Sequence, residues 1–316
     1  DFIICDHHTP GDILPPAVAI LDPKRSDCEY PYKELSGCGV GFKLVQAFSA
    51  YRNEDPAKVM AYLDLLAVSI AADIVPITGE NRILTYYGIE KINNNPRPGL
   101  KALILRSKIE KEIEISDIVF KIGPRINASG RLEHAKASVE LLISDDLEDA
   151  LARAEIVDTV NAARKNFDEN ITKEALTMIH GMEEIRHRKT TVLFKEDWHK
   201  GVIGIVASRC IEKYYRPTII LTESNSKATG SARSVFDFDI YEAISECSDL
   251  LEQFGGHKYA AGLTLSVANV PAFQERFEEV VSARINEIHM KPVLEVDDEI
   301  LLDQINYRFF NILIEN

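Results

Sequence analysis

Residues 1–12 read DFIICDHHTPGD. Phe2, Ile3, Ile4 and Cys5 form an unbroken apolar run, the mark of a strand buried on both faces of a parallel sheet. Thr9, Pro10, Gly11 and Asp12 then force a turn. The polar triplet Asp6-His7-His8 therefore sits where a strand leaves its sheet, and in open α/β sheets ligands bind at that edge. Two imidazoles backed by a carboxylate can supply a metal ligand, a substrate contact and an orienting group. A solvated turn that carries histidines is the competing reading.

The chain has 316 residues, of which 46% are hydrophobic, enough for a sizeable core and two domains. No apolar stretch approaches the roughly 20 residues that cross a bilayer. The 5 cysteines (Cys5, Cys28, Cys38, Cys210, Cys247) are scattered without a CxxC pair, which fits a reducing, cytoplasmic compartment better than a disulfide framework or a zinc ribbon. A net charge of -14 argues against a generally adhesive nucleic-acid binder, yet it allows a nuclease whose basic groups are confined to one cleft and whose acids collect divalent cations.

Ala17 to Leu21 reads as a second short strand that ends at Asp22-Pro23. Ser36 to Gly41 opens a helix carrying Val40, Leu44, Val45 and Phe48 on one face. A second helix is expected from Pro56, a favoured first-turn residue, to Val75-Pro76. Further helical pieces span 81–94 and 100–106. From Asp145 to about His180 there is no Gly or Pro and the apolar positions keep helical spacing, so one long helix capped by Ser144 or Asp145 is expected. A second α/β pattern follows: strand 191–194, helix 202–213, strands 218–221 and 227–231, helix 240–251, the stretch GGHKYAAGLTL, and a helix over 270–285. The segment PVLEVDDEI begins something further.

Five groups of residues carry potential chemistry. Beside the opening triplet stands Asp73 in AVSIAADIVPITGEN, an acid among apolar neighbours that is costly to bury unless paired or metal-bound. A simple exposed acid before Pro76 is the alternative. In KIGPRINASGRLEHA, Arg125 and Arg131 flank a loop with Asn127, Ser129 and Gly130. Glycine permits close backbone approach and guanidiniums offer paired donors to phosphate, although a surface loop with two solvated arginines would read the same. In WHKGVIGIVASR, Trp198 and His199 precede a glycine-punctuated helix start, whose amides either bind an anion or serve packing alone. TGSARS and FGGHKYAAG bring Ser231, Arg233, Gly255, Gly256 and His257 into one domain as a phosphate clamp. By contrast GCGVG, residues 37–41, lacks the spacing and the distant acid of a dinucleotide fingerprint, and close helix packing explains it better.

Their order along the chain resembles the DHH family of phosphoesterases. Asp6-His7-His8 resembles the family's third motif and AADIVP its fourth, while GSARS and FGGHKYAAG look like the associated DHHA1 domain. LPPAVAILDPKRSDCEYPYKELSGCGVGFKL, PRINASGR and WHKGVIGIVASR are similar to stretches of the RecJ-type branch of that family. The resemblance implies an α/β fold: a partial DHH domain with a parallel sheet over 1–143, a long connecting helix over 144–186, a second α/β DHHA1 domain with a mixed sheet over 187–290, and the start of a truncated OB-fold domain over 291–316. It implies a fragment of a metal-dependent 5′-to-3′ exonuclease of single-stranded DNA in repair and recombination. Aspartates from two earlier family motifs are not in this chain, so the chain alone is expected to have little nuclease activity. The implied roles are His7 and Asp73 as ligands of Mn²⁺ or Mg²⁺, Asp6 in support and His8 at the scissile phosphate. Arg125, Asn127 and Arg131 would line the cleft, and Ser231, Arg233, Gly255, Gly256 and His257 would hold the nucleic-acid backbone. Implied partners are single-stranded DNA, a single-strand-binding protein and a helicase, with the enzyme a monomer and no membrane involved. Two other classes compete: a DHH phosphodiesterase of short oligonucleotides or cyclic dinucleotides, and a non-catalytic DHH-like binding scaffold.

Overall fold

A computed structural model describes residues 1–11, 13–183 and 187–315. The chain forms two compact units, residues 1–166 and 167–316. The division falls inside the long helix, and residues 184–186, at the end of the expected connecting segment, lie outside the described residues.

In the first unit the opening run forms β1 (Ile3–Cys5) and pairs in parallel with β2 (Ala19–Leu21), in the register Ile3↔Ala19 to Cys5↔Leu21. Helix α1 (Gly37–Tyr51) starts at Ser36, whose Oγ accepts from the Gly39 amide at 3.1 Å. Its buried face is Gly39, Val40, Phe42 and Ser49 rather than the full set expected, since Val45 and Phe48 are exposed. The helix expected from Pro56 onward breaks into α2 (Ala57–Met60) and α3 (Leu63–Asp73). At the break the Arg97 guanidinium donates to the Ala61 carbonyl at 3.2 Å and to both Asp64 oxygens at 2.9 and 2.7 Å, so a residue far along the chain takes over the freed backbone acceptor.

Helices α4 (Gly79–Asn94) and α5 (Pro98–Arg106) follow as read from their periodicity. The stretch expected as an arginine-flanked loop is instead helical. A short α6 (Ile115–Asp117) runs through a π-helical turn (Ile118–Ile122) into α7 (Gly123–Leu132). Pro124, which has no N–H to give to the preceding turn, stands directly after the π-helical turn, where the hydrogen-bond register has already shifted. Gly123 is there for packing, since a Cβ on it would lie 3.2 Å from that of Ala72 in α3. After α8 (Lys136–Leu142), helix α9 (Leu147–Gly181) begins behind Asp146, whose carboxylate accepts from the Asp149 amide; the cap is thus one or two residues beyond the expected Asp145 or Ser144. Ala67, Ala71, Leu100, Leu103, Ile118, Ile122, Leu141 and Ala154 form the core of this unit.

The second unit is built on a mixed sheet of order β3-β4-β5-β7-β6, with β3 (Thr191–Phe194) parallel to β4 (Thr218–Ser224) and the remaining pairs antiparallel. β4 runs past Leu221 to Ser224 and turns through Asn225-Ser226, both at positive φ (54° and 61°), the tight two-residue hairpin turn. β5 (Lys227–Arg233), β6 (Gln253–His257) and β7 (Ala260–Ser266) complete the sheet. Ala228, Ala232, Leu263 and Leu265 face a core with Phe273 and Phe277 of α12 (Val270–Arg284), given that α10 is Ile203–Lys213 and α11 is Ile240–Ser245. The helix expected to reach Leu251 stops at Ser245 and gives way to a 3-10 turn over Ser248–Leu250. Residues 291–306 are exposed and lead to α13 (Tyr307–Glu315); no strand occurs among the described residues of 291–315.

Candidate active site

Asp6 follows β1 directly, and its amide donates to the Leu21 carbonyl at 3.0 Å, which holds the triplet against the end of β2. The Asp6 Oδ1 accepts from the His7 amide at 2.7 Å and the His8 amide at 3.2 Å, and it lies 2.8 Å from His8 Nδ1. Burial pushes the Asp6 carboxyl up, but the His8 ring and the two amides outweigh it and hold the group below its ordinary value. An ionised carboxylate only accepts, so His8 carries its proton on Nδ1 and leaves Nε2 to meet another group. Asp6 is thereby an orienting residue.

The His7 ring lies against that of His8, with centroids 4.5 Å apart, but meets a different acid. Its Nε2 lies 3.1 Å from Asp73 Oδ2, with the imidazole mostly buried and the Asp73 side chain 43% exposed. Of the two readings of Asp73, the exposed acid before Pro76 describes its surroundings, and the pairing with His7 is added to it. Asp73 is the last residue of α3, at the helix end where the backbone dipole disfavours an anion by about 0.3–1 kcal/mol. Ile74 follows in the left-handed conformation (φ 57°), which for a β-branched residue is strained by about 1–3 kcal/mol. A cation or an imidazole offsets the first of these costs.

The donors suit a divalent metal. The candidate ligand atoms of Asp6, His7 and His8 lie within 4.8 Å of one another. Two cis ligands of an octahedral ion stand about 3 Å apart, which is the separation found between His7 and Asp73. An imidazole nitrogen and a carboxylate oxygen suit Mn²⁺, and carboxylate suits Mg²⁺. His7 Nδ1 is buried and has no hydrogen-bond partner among the described residues.

Asp73 also opens onto a groove of about 710 Å³ lined by Cys38, Ser69, Ile126, Asn127 and Arg131. Three residues of the PRINASGR stretch, Ile126, Asn127 and Arg131, thus line the groove onto which Asp73 opens. Arg125 does not: its Nε donates to Asp158 of α9 at 2.8 Å and its Nη1 to the Lys121 carbonyl at 2.7 Å, so its donors hold α7 to α9.

In the second unit four of the five predicted residues, Ser231, Arg233, Gly255 and His257, gather on one sheet face, and Gly256, aligned with Ala261 and Ala232, falls on the other. Directly opposed residues of neighbouring strands share a face, and the register aligns Arg233 with Ala260 and His257, and Ser231 with Gly262 and Gly255. Arg233 Nη1 donates to Ser231 Oγ at 3.1 Å and to the Ala232 carbonyl at 2.7 Å. Beside them Gly255 has nothing within 4 Å of a would-be Cβ and Gly262 only a backbone oxygen at 4.0 Å, so the floor is bare backbone. Gly256 adopts φ +153°, and a Cβ there would lie 2.3 Å from the Ala260 carbonyl, so the hairpin closes only with glycine.

Sequence reasoning missed three supporting residues. Gly204 at the start of α10 is bare because a Cβ would stand 2.9 Å from both Arg233 Nη2 and Ser231 Oγ. The glycines of WHKGVIGIVASR were its signal, but only the sheet register shows what they accommodate. Trp198 of the same stretch is structural, buried with its Nε1 donating to Glu174 at 2.9 Å. Gly37 brings backbone against the His7 ring, with its Cβ position 3.4 Å from His7 Cδ2. Asn81, fully buried in the first turn of α4, had no sequence signal.

Residues 1–70 match the DHH family, N-terminal domain, and residues 187–283 match the DHHA1 domain. The single-stranded-DNA-specific exonuclease RecJ of Bacillus subtilis (strain 168) is 40% identical over 300 residues, which are 94% of this chain and 37% of that protein. The crystal structure of RecJ from Thermus thermophilus in complex with Mn²⁺ matches with a TM-score of 0.80 at 33% identity, covering 90% of this chain and 41% of that one. A crystal structure of exonuclease RecJ bound to manganese matches with a TM-score of 0.72 at 33% identity, covering 90% of this chain and 69% of that one. The chain thus spans well under half the length of the first two of these relatives. Carrying both domains and this likeness, the chain belongs to the DHH family, in its RecJ branch.

Proposed function

We propose that this chain is part of a divalent-metal-dependent exonuclease that hydrolyses single-stranded DNA from its 5′ end, in repair and recombination. The observation that carries the reading is the His7–Asp73 pair, 3.1 Å apart at a sheet edge. It is supported by the activity of these relatives and by the manganese in two RecJ structures. His7 and Asp73 would hold Mn²⁺ or Mg²⁺. When bound, such an ion lowers the pKa of a water and offsets charge on the attacked phosphate.

The protein's own residues supply the rest. Asp6 fixes the His8 tautomer and sets Nε2 toward a non-bridging or leaving oxygen of the scissile phosphate. Asn127 and Arg131, beside Asp73, donate to the backbone of the strand being cut. Arg125 supports α7 from behind. In the second unit Ser231, Arg233 and His257 grip the sugar-phosphate chain, while Gly255 and Gly262 let it approach the sheet and Gly256 closes the hairpin that carries His257. The reading extends to a cytoplasmic monomer working with a single-strand-binding protein and a helicase.

The test is degradation of end-labelled single-stranded and duplex DNA with Mn²⁺, by the full-length gene product and by this chain alone, each beside His7→Ala. Loss of the single strand only, abolished by the substitution, supports the reading, with this chain alone far weaker. Digestion of cyclic or linear dinucleotides without either DNA would move the assignment to a small-substrate phosphodiesterase. Retained DNA binding with no cleavage of any substrate would leave a binding scaffold.

A further inference from the structure

We infer that Asn81 is a positioning residue for the metal-binding pair, acting by tying together the two backbone segments that enclose His7; the inference rests on the metal reading of the site. Both amide protons of Asn81 are spent on backbone carbonyls, that of Glu34 at 2.6 Å and that of Pro76 at 2.9 Å. Glu34 lies three residues before Gly37, whose backbone abuts the His7 ring. Pro76 lies three residues after Asp73, whose carboxylate meets His7 Nε2. One buried side chain therefore fixes the spacing between the wall that His7 leans on and the acid that His7 faces.

The surroundings strengthen this. The backbone after Asp73 is strained at Ile74 and needs an external hold. Tyr32 adds a second tether from the Glu34 side, its hydroxyl lying 3.1 Å from both the Pro76 carbonyl and Thr78 Oγ1. Its ring occupies the space where a Gly79 Cβ would lie, 2.8 Å away. Asn81 Oδ1 is itself buried without a hydrogen-bond partner among the described residues, an arrangement that generic packing would not select over an apolar side chain. What an apolar residue lacks is the pair of donors.

The experiment compares Mn²⁺ binding, followed by the loss of the free-ion paramagnetic resonance signal, in this chain and four variants. Asn81→Leu removes both donors along with the orphaned oxygen. Asn93→Ala is the matched control, because Asn93 ties backbone in the same way at a remote place, donating to the Ile113 carbonyl at 3.1 Å and accepting from its amide at 2.7 Å. Asn81→Leu should raise the dissociation constant about 10–100-fold, as losses of outer-shell partners do. Asn93→Ala should leave it within about twofold, although both lower the melting temperature. Tyr32→Phe, which keeps the ring, should raise it in the same direction by a smaller factor. Unchanged affinity in Asn81→Leu, or an equal loss in Asn93→Ala, overturns the inference. If Asn81→Leu fails to fold by circular dichroism, Tyr32→Phe decides, and unchanged affinity there overturns it. His7→Ala keeps the two questions apart: if it binds Mn²⁺ as the parent does, the metal reading fails and takes this inference with it.

Discussion

Replacing Gly204 with alanine should separate folding from nucleic-acid binding. Gly204 is the second residue of α10, so alanine favours the helix by roughly 0.5–1 kcal/mol. Its Cβ, however, would lie 2.9 Å from Arg233 Nη2 and from Ser231 Oγ, both far ends of movable side chains. The sheet can stay in place while the guanidinium and hydroxyl swing aside. What is lost in the fold is chiefly the bond from Arg233 Nη1 to Ser231 Oγ, worth about 1 kcal/mol and close to the helical gain. The melting temperature should therefore move by no more than about 4 °C. If Arg233 holds a phosphate, the displaced charge-assisted bond costs about 1.5–3 kcal/mol, or roughly 10–150-fold in affinity. The slope of log affinity against log salt should flatten by about 0.7, and Arg233→Ala should flatten it equally. Fluorescence anisotropy with a labelled oligothymidylate over a salt series reads both numbers, and scanning fluorimetry reads the stability. Unchanged affinity and slope would remove Ser231 and Arg233 from the DNA. A collapse of the melting temperature would mean that the glycine serves packing alone.

Arg97→Met should destabilise the first unit by about 3–5 kcal/mol in urea, because it leaves the buried Asp64 carboxylate unpaired; Arg97→Met with Asp64→Leu should recover most of that, and no recovery would contradict the cause. Glu80 receives Lys43 Nζ and the Tyr30 hydroxyl, each at 2.6 Å, and although burial alone would raise its carboxyl, these donors hold it below the ordinary 4.5. A depressed carboxyl stabilises the fold above that value and stops doing so as pH falls through its folded pKa. Glu80→Gln should thus cost about 1–2 kcal/mol at pH 7 and less below pH 4, and a loss that grows toward acid would refute the sign. Burial pushes the Cys210 thiol up to about 12 and the Cys247 thiol up to about 11, so a thiol reagent at pH 8 should miss both until denaturant is added; prompt labelling of either in the native protein would count against their burial.

Much of the fold was legible because it rests on local periodicity. The strand Thr191–Phe194 is an apolar run stopped by polar residues on both sides, and the long helix lacks any breaker across its length. What could not be read depends on distant partners. The break at Ala61–Tyr62 lies within a continuous helical pattern and is set by Arg97, whose guanidinium meets the Ala61 carbonyl from another helix. The α7 segment fails in the opposite sense. Its Gly, Pro, Asn and Ser content reads as loop, yet Ala128 and Ser129 are buried and Ser129 Oγ pairs with Ser138 Oγ at 3.0 Å, so tertiary packing outweighs weak propensity.

The candidate site divides along the same line. Asp6-His7-His8 was legible because strand, turn and chemistry are adjacent in sequence. Asp73 was singled out as an acid among apolar neighbours, with an exposed acid before Pro76 as the alternative, and it is exposed yet paired with His7. Its place at a helix C-terminus follows from Pro76, but the strained residue beside it needs the backbone. GCGVG was set aside as a packing element, and one of its glycines, Gly37, packs against the ring of a proposed ligand. Packing and function are therefore not alternatives at such a position. A Cβ there would meet the His7 ring at 3.4 Å, at the edge of ordinary van der Waals contact, so the glycine leaves room beside the ring whose Nε2 stands 3.1 Å from Asp73.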